Sequence, residues 1–202
     1  MYGMLEMMIV SFAIGLTGTL TPGPVLVATI NSSFRGGWLM GPKVTAGHAI
    51  LELGIFLMIV LGISVAMDNY ASFIALVGGT ALILFGLLTL LDSRNASISG
   101  SVGEVTANPY LAGILTSAAN PYFWIWWFSI GSALVLEGLS GGPLLVLFFL
   151  VGHWSADFGW YTLVSTSFSK GKSILSEGSY RVVVALCGMF LIFFGLYYLA
   201  IL

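Results

Sequence analysis

Two histidine–acid pairs carry the sharpest chemical signal in this chain. His48 precedes Glu52 by four residues and His153 precedes Asp157 by four, each inside a long apolar stretch. Residues four apart share one face of a helix, so each imidazole can reach its carboxylate. Ionisable groups surrounded by hydrocarbon are expensive, and are kept where they carry ions, protons or substrate. Histidine suits proton exchange because its ordinary pKa, ~6.5, lies near cytoplasmic pH. The blander alternative is that each histidine only neutralises its neighbour in a packed helix pair, although omitting both groups would cost less in lipid. A rise of ~1.5 Å per residue puts Glu52 and Asp157 at similar depth, roughly 12–15 Å from one membrane face, with His48 a turn nearer that face and His153 a turn further away. The spacing predicts a ladder across the hydrocarbon, with proton coupling carried by His48, Glu52, His153 and Asp157.

Two proline motifs interrupt the helices that must position these groups. Thr21-Pro22-Gly23-Pro24 falls inside the apolar run 5–30, and Asn120-Pro121-Tyr122 inside the run 107–136. Proline lacks a backbone N–H and clashes with the preceding turn, so a continuous helix is costly at both places. A single such site reads as a packing kink; its repetition about a hundred residues later argues for a shared purpose. The expected form is a helix that stops near Leu20 and restarts with Thr21 as N-cap and Pro22 in its first turn, matched by Asn120 as N-cap with Pro121 next. Freed backbone groups cannot face lipid, so each break must be buried or line a watery cavity. N–H groups after the breaks, from Gly23, Val25, Tyr122 and Phe123, would attract a carboxylate. An amine near Glu52 or Asp157 would then complete a site for a zwitterionic amino acid, with Thr21, Pro22, Gly23, Pro24, Asn120, Pro121 and Tyr122 in contact with substrate. The aromatic run Tyr122-Phe123-Trp124-Ile125-Trp126-Trp127-Phe128 starts just past the second break. It divides between a lipid-facing or packing part and a part that walls the cavity.

Composition fixes the setting. Of 202 residues 58% are hydrophobic and 7% charged, and the mean hydropathy is +1.05. Soluble domains carry ~25% charged residues, so this is an integral membrane protein. Residues 1–10 hold Glu6 and no Lys or Arg. They lack a signal peptide's basic start and cleavage site, so the first apolar run is expected to remain in the mature protein. Cys187 is the only cysteine, which excludes an internal disulfide and two-thiol chemistry. No nucleophile–base set, phosphate loop or cofactor motif is present, so neither an enzyme nor a resident cofactor or metal is expected, and nothing points to nucleic acid.

Six apolar segments are readable: 5–30, 44–66, 72–91, 107–136, 144–167 and 181–202. Segments this long and apolar read as helices rather than barrel strands. With six spans, Arg35, Lys43, Arg94, Lys170, Lys172 and Arg181 all fall on one side, and Glu6, Asp68 and Glu137 on the other. By the positive-inside bias the first side is cytoplasmic and both termini lie outside the cell membrane. Residues 1–91 form a first repeat, the Ser/Gly-rich 92–106 a flexible cytoplasmic linker, and 107–202 a second repeat. The halves echo each other: Gly47-His48-x-x-x-Glu52 in Gly152-His153-x-x-x-Asp157, residues 79–87 in 188–196, and Pro22 in Pro121. Three spans per repeat is odd, which predicts an all-α membrane protein of two inverted three-helix repeats with helices 1 and 4 broken at proline, a secondary-transporter architecture. Gly78, Gly79, Gly86, Gly188 and Gly195 would let helices touch closely, within a subunit or in a homo-oligomer.

The chain resembles the lysine exporter (LysE/RhtB) family of amino-acid efflux proteins. The resemblance rests on Thr21-Pro22-Gly23-Pro24, on Gly47 with an acid five residues on, on Leu115-Thr116 leading to Asn120-Pro121, and on Asp157-Phe158-Gly159-Trp160-Tyr161. It implies six helices in two inverted repeats exporting amino acids or related metabolites, coupled to the proton gradient. The chain departs from the family pattern in having Glu52 rather than Asp, His48 at an otherwise apolar position, and Tyr122 where Lys often follows the Asn-Pro. Two histidines and two carboxylates are also a ligand set for zinc, manganese or nickel, so a divalent metal cation exporter is the alternative. It would need the four side chains to converge, whereas helical rise sets His48 and His153 about two turns apart in depth.

Overall fold

The computed structural model describes residues 2–20, 23–62, 71–94, 108–171 and 176–200, and among these every regular element is helical. Among the described residues four helices are long and apolar enough to cross a membrane: Met40–Val60, Pro121–Ser140, Pro143–Gly171 and Glu177–Tyr197. Met4–Thr19 and Pro24–Gly36, bent by 79°, make a fifth crossing if taken together. The protein is therefore an all-helical, multi-pass membrane protein. The expected third span falls on α4 (Ala71–Ser93), whose 23 residues have the length of a crossing.

Helices run further than hydropathy suggests. The joint expected at 31–43 holds the end of α2 (Pro24–Gly36) and the start of α3 (Met40–Val60). The joint expected at 168–180 holds the end of α8 (Pro143–Gly171) and the start of α9 (Glu177–Ala200). Hydropathy marks only hydrocarbon depth, about 30 Å, while the backbone keeps its hydrogen bonds into the polar head-group zone. Of the expected linker, residues 95–106 lie outside the described residues, and so does Lys172.

Both breaks form, each with a correction. Between α1 (Met4–Thr19) and α2 the N-cap is Gly23 and Pro24 opens the helix, so Thr21 is not the cap. The steric reason is that Pro24, with no N–H to lose, fits the first turn and leaves its predecessor extended. Thr21 and Pro22 themselves lie outside the described residues. In the second half α5 (Pro109–Ala118) has only 10 residues, about 15 Å of rise. The crossing-length helix comes wholly after the break, running through α6 (Pro121–Trp126), a π-helical turn (Trp127–Gly131) and α7 (Ser132–Ser140). Asparagine opens both α5 and α6: Asn108 Oδ1 accepts from Tyr110 N at 2.9 Å, and Asn120 Oδ1 from Tyr122 N at 3.1 Å.

Glycines set how the helices meet. α3 lies along α5, and α1 along α8. A Cβ on Gly47 would run into the Tyr110 carbonyl, and one on Gly113 into that of Val44. In the other pair a Cβ on Gly152 would strike the Met8 carbonyl, and one on Gly15 would come within 2.9 Å of His153 Nδ1. α4 and α9 pack the same way, Gly79 against Gly195 and Gly86 against Gly188. With no side chain between them, backbones approach closely and dispersion replaces the missing hydrophobic drive between helices in lipid. α2 is set against α3, α5 and α8. An aromatic and aliphatic core including Met7, Ile55, Ile59, Trp127, Val135 and Phe149 fills the centre.

These contacts predict opposite outcomes for two substitutions on one helix. Gly47→Ala should destabilise by about 1–3 kcal/mol through overpacking on Tyr110. Gly54→Ala, with no atom within 4 Å of the added methyl, should be neutral or stabilise by roughly 0.5–1 kcal/mol through better helix propensity. Equilibrium unfolding in mixed micelles compares the two; equal effects would contradict the packing described.

Candidate functional site

All four titratable residues meet in one buried cluster instead of forming a ladder. Their relative exposures are 9% for His48, 1% for Glu52, 4% for His153 and 2% for Asp157. Nε2 of His153 lies 2.9 Å and Nε2 of His48 3.1 Å from the same oxygen, Oε1 of Glu52. His153 is closer to this acid of the other half than to its own helical neighbour Asp157, whose Oδ2 is 3.5 Å away. Helical rise alone missed this because it fixes depth along parallel rods. α3 and α8 pack directly against each other, and the side chains meet across that contact despite the expected offset.

Glu52 is fully engaged. The Trp127 indole N–H donates to Oε1 at 3.2 Å and that of Trp154 to Oε2 at 3.0 Å. Four N–H groups thus converge on one carboxylate, the compensation a buried charge requires. With its Nε2–H directed at Glu52, His48 uses Nδ1 to share a 2.6 Å hydrogen bond with the Ser117 hydroxyl. That hydroxyl also lies 2.6 Å from the Gly113 carbonyl. The His153 ring is stacked against Trp126, with centroids 4.8 Å apart, and Phe149 at 5.9 Å, with Trp127 edge-on.

The π-helical turn explains why two successive tryptophans both serve the cluster. Side chains one residue apart on an α-helix diverge by about 100°, yet Trp126 and Trp127 are both buried here. Trp127 opens the widened turn and Trp126 immediately precedes it, and Gly131 lies against both indoles. Such insertions recur at functional sites.

Asp157 is held differently. The Thr19 hydroxyl, on the last residue of α1, donates to Asp157 Oδ1 and also lies 2.9 Å from the Gly15 carbonyl. Asp157 Oδ2 has no hydrogen-bond partner.

A cavity of about 60 Å³ adjoins the cluster, lined by His48, Glu52, His153, Asp157, Gly23, Pro24, Asn120 and Tyr122 among the residues expected from sequence. Phe123, Trp126 and Trp127 are the part of the aromatic run that walls it, while Gly15, Gly18, Thr19 and Tyr161 also line it and were not expected. Pro121 is buried at the α6 start without lining the cavity. The volume holds a few waters and falls well below the ~300 Å³ at which small-molecule pockets begin. Two of the four backbone donors expected for a carboxylate, those at the second break, are in use: Tyr122 N–H goes to the Asn120 side chain and Phe123 N–H to the Asn120 carbonyl. Of the unexpected residues, Gly15, Gly18 and Thr19 had a usable signal, a small-residue stripe of helical spacing running into the proline motif. Ser117 and Trp154 had none beyond their own positions.

A multi-pass helical bundle with a small chamber between two helix breaks, lined by ionisable groups and aromatic rings, has the layout of a membrane transporter. The LysE type translocator family matches residues 16–201, and the chain belongs to that family. Its members are transporters, so this protein moves a small molecule across a lipid bilayer. No curated protein and no solved structure matches the chain.

Trp154→Phe tests the ring of donors. It keeps most of the packing but strips Glu52 Oε2 of its N–H, and should cost about 1–3 kcal/mol of stability. Equilibrium unfolding reads the loss; no change would mean that the bond carries nothing.

Proposed function

We propose that this protein is a secondary active transporter exporting amino acids or related small metabolites by proton antiport, from six transmembrane helices in two inverted repeats. The carrying observation is the convergence of one His–acid pair from each half on a single buried point beside both helix breaks. Pairwise contacts support the repeat: Gly79 meets Gly195 as Gly188 meets Gly86, and Gly47 meets α5 as Gly152 meets α1. Reciprocity of this kind is what a two-fold axis in the membrane plane produces. With six crossings every Lys and Arg falls on the cytoplasmic side of the plasma membrane, and both termini outside.

The hydroxyl of Thr19 offers a link between proton and helix break. It has one hydrogen and two acceptors, Asp157 Oδ1 and the Gly15 carbonyl. When Asp157 is ionised it takes that hydrogen. When Asp157 is protonated it donates to Thr19, whose hydrogen returns to Gly15 and completes the last turn of α1. Loading and unloading a proton thus re-makes a side-chain bond in the last turn of α1, just before the 79° bend.

The test is efflux from loaded proteoliposomes under an imposed pH gradient. The gradient should accelerate amino-acid release from wild type. Glu52→Gln and Asp157→Asn should reduce that release to background while leaving the helical circular dichroism intact. Wild-type efflux in both variants would end the proposal.

A second reading, a divalent cation as cargo, has its own observation: ligand atoms of His48, Glu52 and Asp157 lie within 4.8 Å of one another, the compactness imidazole–carboxylate metal sites need. Equilibrium binding of Zn²⁺, Mn²⁺ and Ni²⁺ against amino acids separates the two. Saturable metal binding lost in His48→Asn, with no amino-acid binding, would favour the cation.

A further inference from the structure

We propose that Trp126 Nε1, His153 Nδ1 and Asp157 Oδ2 are the three atoms that hold the head group of a zwitterionic amino acid, with the carboxylate on the two ring nitrogens and the ammonium on Asp157. This rests on the transporter reading above and goes beyond it by assigning each end of the substrate.

These three polar atoms are buried without a hydrogen-bond partner, and all three residues line the cavity beside the His–acid cluster. The side chains are well over nine-tenths buried, at 5%, 4% and 2% relative exposure. Unpaired polar atoms at such burial are unfavourable unless a partner arrives. The inventory is chemically complementary to an amino acid. Trp126 Nε1 can only donate. His153 gives Nε2–H to Glu52, and in its protonated form has Nδ1–H left to donate. Asp157 Oδ2 can only accept while ionised.

Geometry groups the two donors. The Trp126 and His153 rings stack at 4.8 Å with an interplanar angle of 26°. Both edges face the glycine stripe of α1: a Cβ on Gly15 would lie 2.9 Å from His153 Nδ1, and one on Gly18 3.4 Å from Trp126 Nε1. Thr19, the next residue, holds the other oxygen of Asp157. One helical turn of α1 therefore borders donors and acceptor together.

Competing groups at Glu52 and at the second break are already engaged. Glu52 already receives four N–H groups, so an ammonium would have to displace one. The donors at the α6 start are bonded to Asn120, so a carboxylate has no free N–H at Tyr122 or Phe123. Charges balance with both histidines protonated: the His48 and His153 imidazoliums and the ammonium offset Glu52, Asp157 and the substrate carboxylate.

The experiment is a proteoliposome efflux screen of the twenty amino acids, followed by competition using the best-moved one, its primary amide and its deaminated acid. Wild type should discriminate against both analogues by about tenfold or more, the scale of one hydrogen bond to a charged group. Trp126→Phe keeps the stacked ring and should lose much of the acid-over-amide preference while retaining preference for the amine. Asp157→Asn, assayed by binding, should show the reverse. Gly18→Ala, whose methyl meets Trp126 Nε1 at ordinary contact distance, should raise KM about tenfold with the helical content unchanged. Amino-acid efflux with an unaltered acid-over-amide ratio in Trp126→Phe would overturn this assignment and leave the transporter standing. No amino acid moved by wild type would overturn both.

Discussion

The carboxylate of Glu52 is the point on which the molecule closes. It belongs to α3, yet it is bonded from α8 by His153 and Trp154 and from the π-helical turn by Trp127, with His48 completing the set from its own helix. A lone charge at this depth would be prohibitive. Surrounding it with N–H groups from separate elements makes the electrostatic requirement and the tertiary fold one condition. The helices cannot drift apart without uncovering the charge, and the charge cannot persist unless they stay together.

Around that point the backbone solves a second problem, how to interrupt helices where lipid offers no partners. Asn120 does so directly, its side chain and carbonyl absorbing the first N–H groups of α6. At α2 the means are different: Gly23 is extended, Pro24 brings no N–H of its own, and no side chain caps the turn. The two breaks are thus closed by different residues. Thr19 and Ser117 occupy comparable places at the ends of α1 and α5, each hydroxyl bonded both to its own helix and to the ionisable cluster.

Much of this was legible in the chain. The apolar segments, the two breaks and the buried status of His48, Glu52, His153 and Asp157 follow from hydropathy, proline sterics and the cost of charge in lipid. Their meeting on one oxygen did not, because helical rise measures depth and says nothing of tilt. The N-cap at Gly23 rather than Thr21 was missed because two prolines two residues apart both satisfy the rule for a first turn, and only the chain's path chooses between them. Trp126 and Trp127 sat in an aromatic run whose division between packing and cavity depended on the π-helical turn, which has no sequence signature of its own. Trp154 looked like any membrane tryptophan until Glu52 was found opposite it.

The glycine crossings bear on how such a molecule could move. Where Gly47 rests on Tyr110 and Gly152 on Met8, main chain touches main chain, and there are no rotamers to absorb a displacement. Each couple, α3 with α5 and α1 with α8, is consequently stiff, and each joins a helix from the first half of the sequence to one from the second. Rigid bodies drawn from the structure cut across the two halves of the chain. Gly15 and Gly18 of α1, His153 of α8 and His48 of α3 all line the chamber, so any displacement of one couple against the other would be felt at its walls.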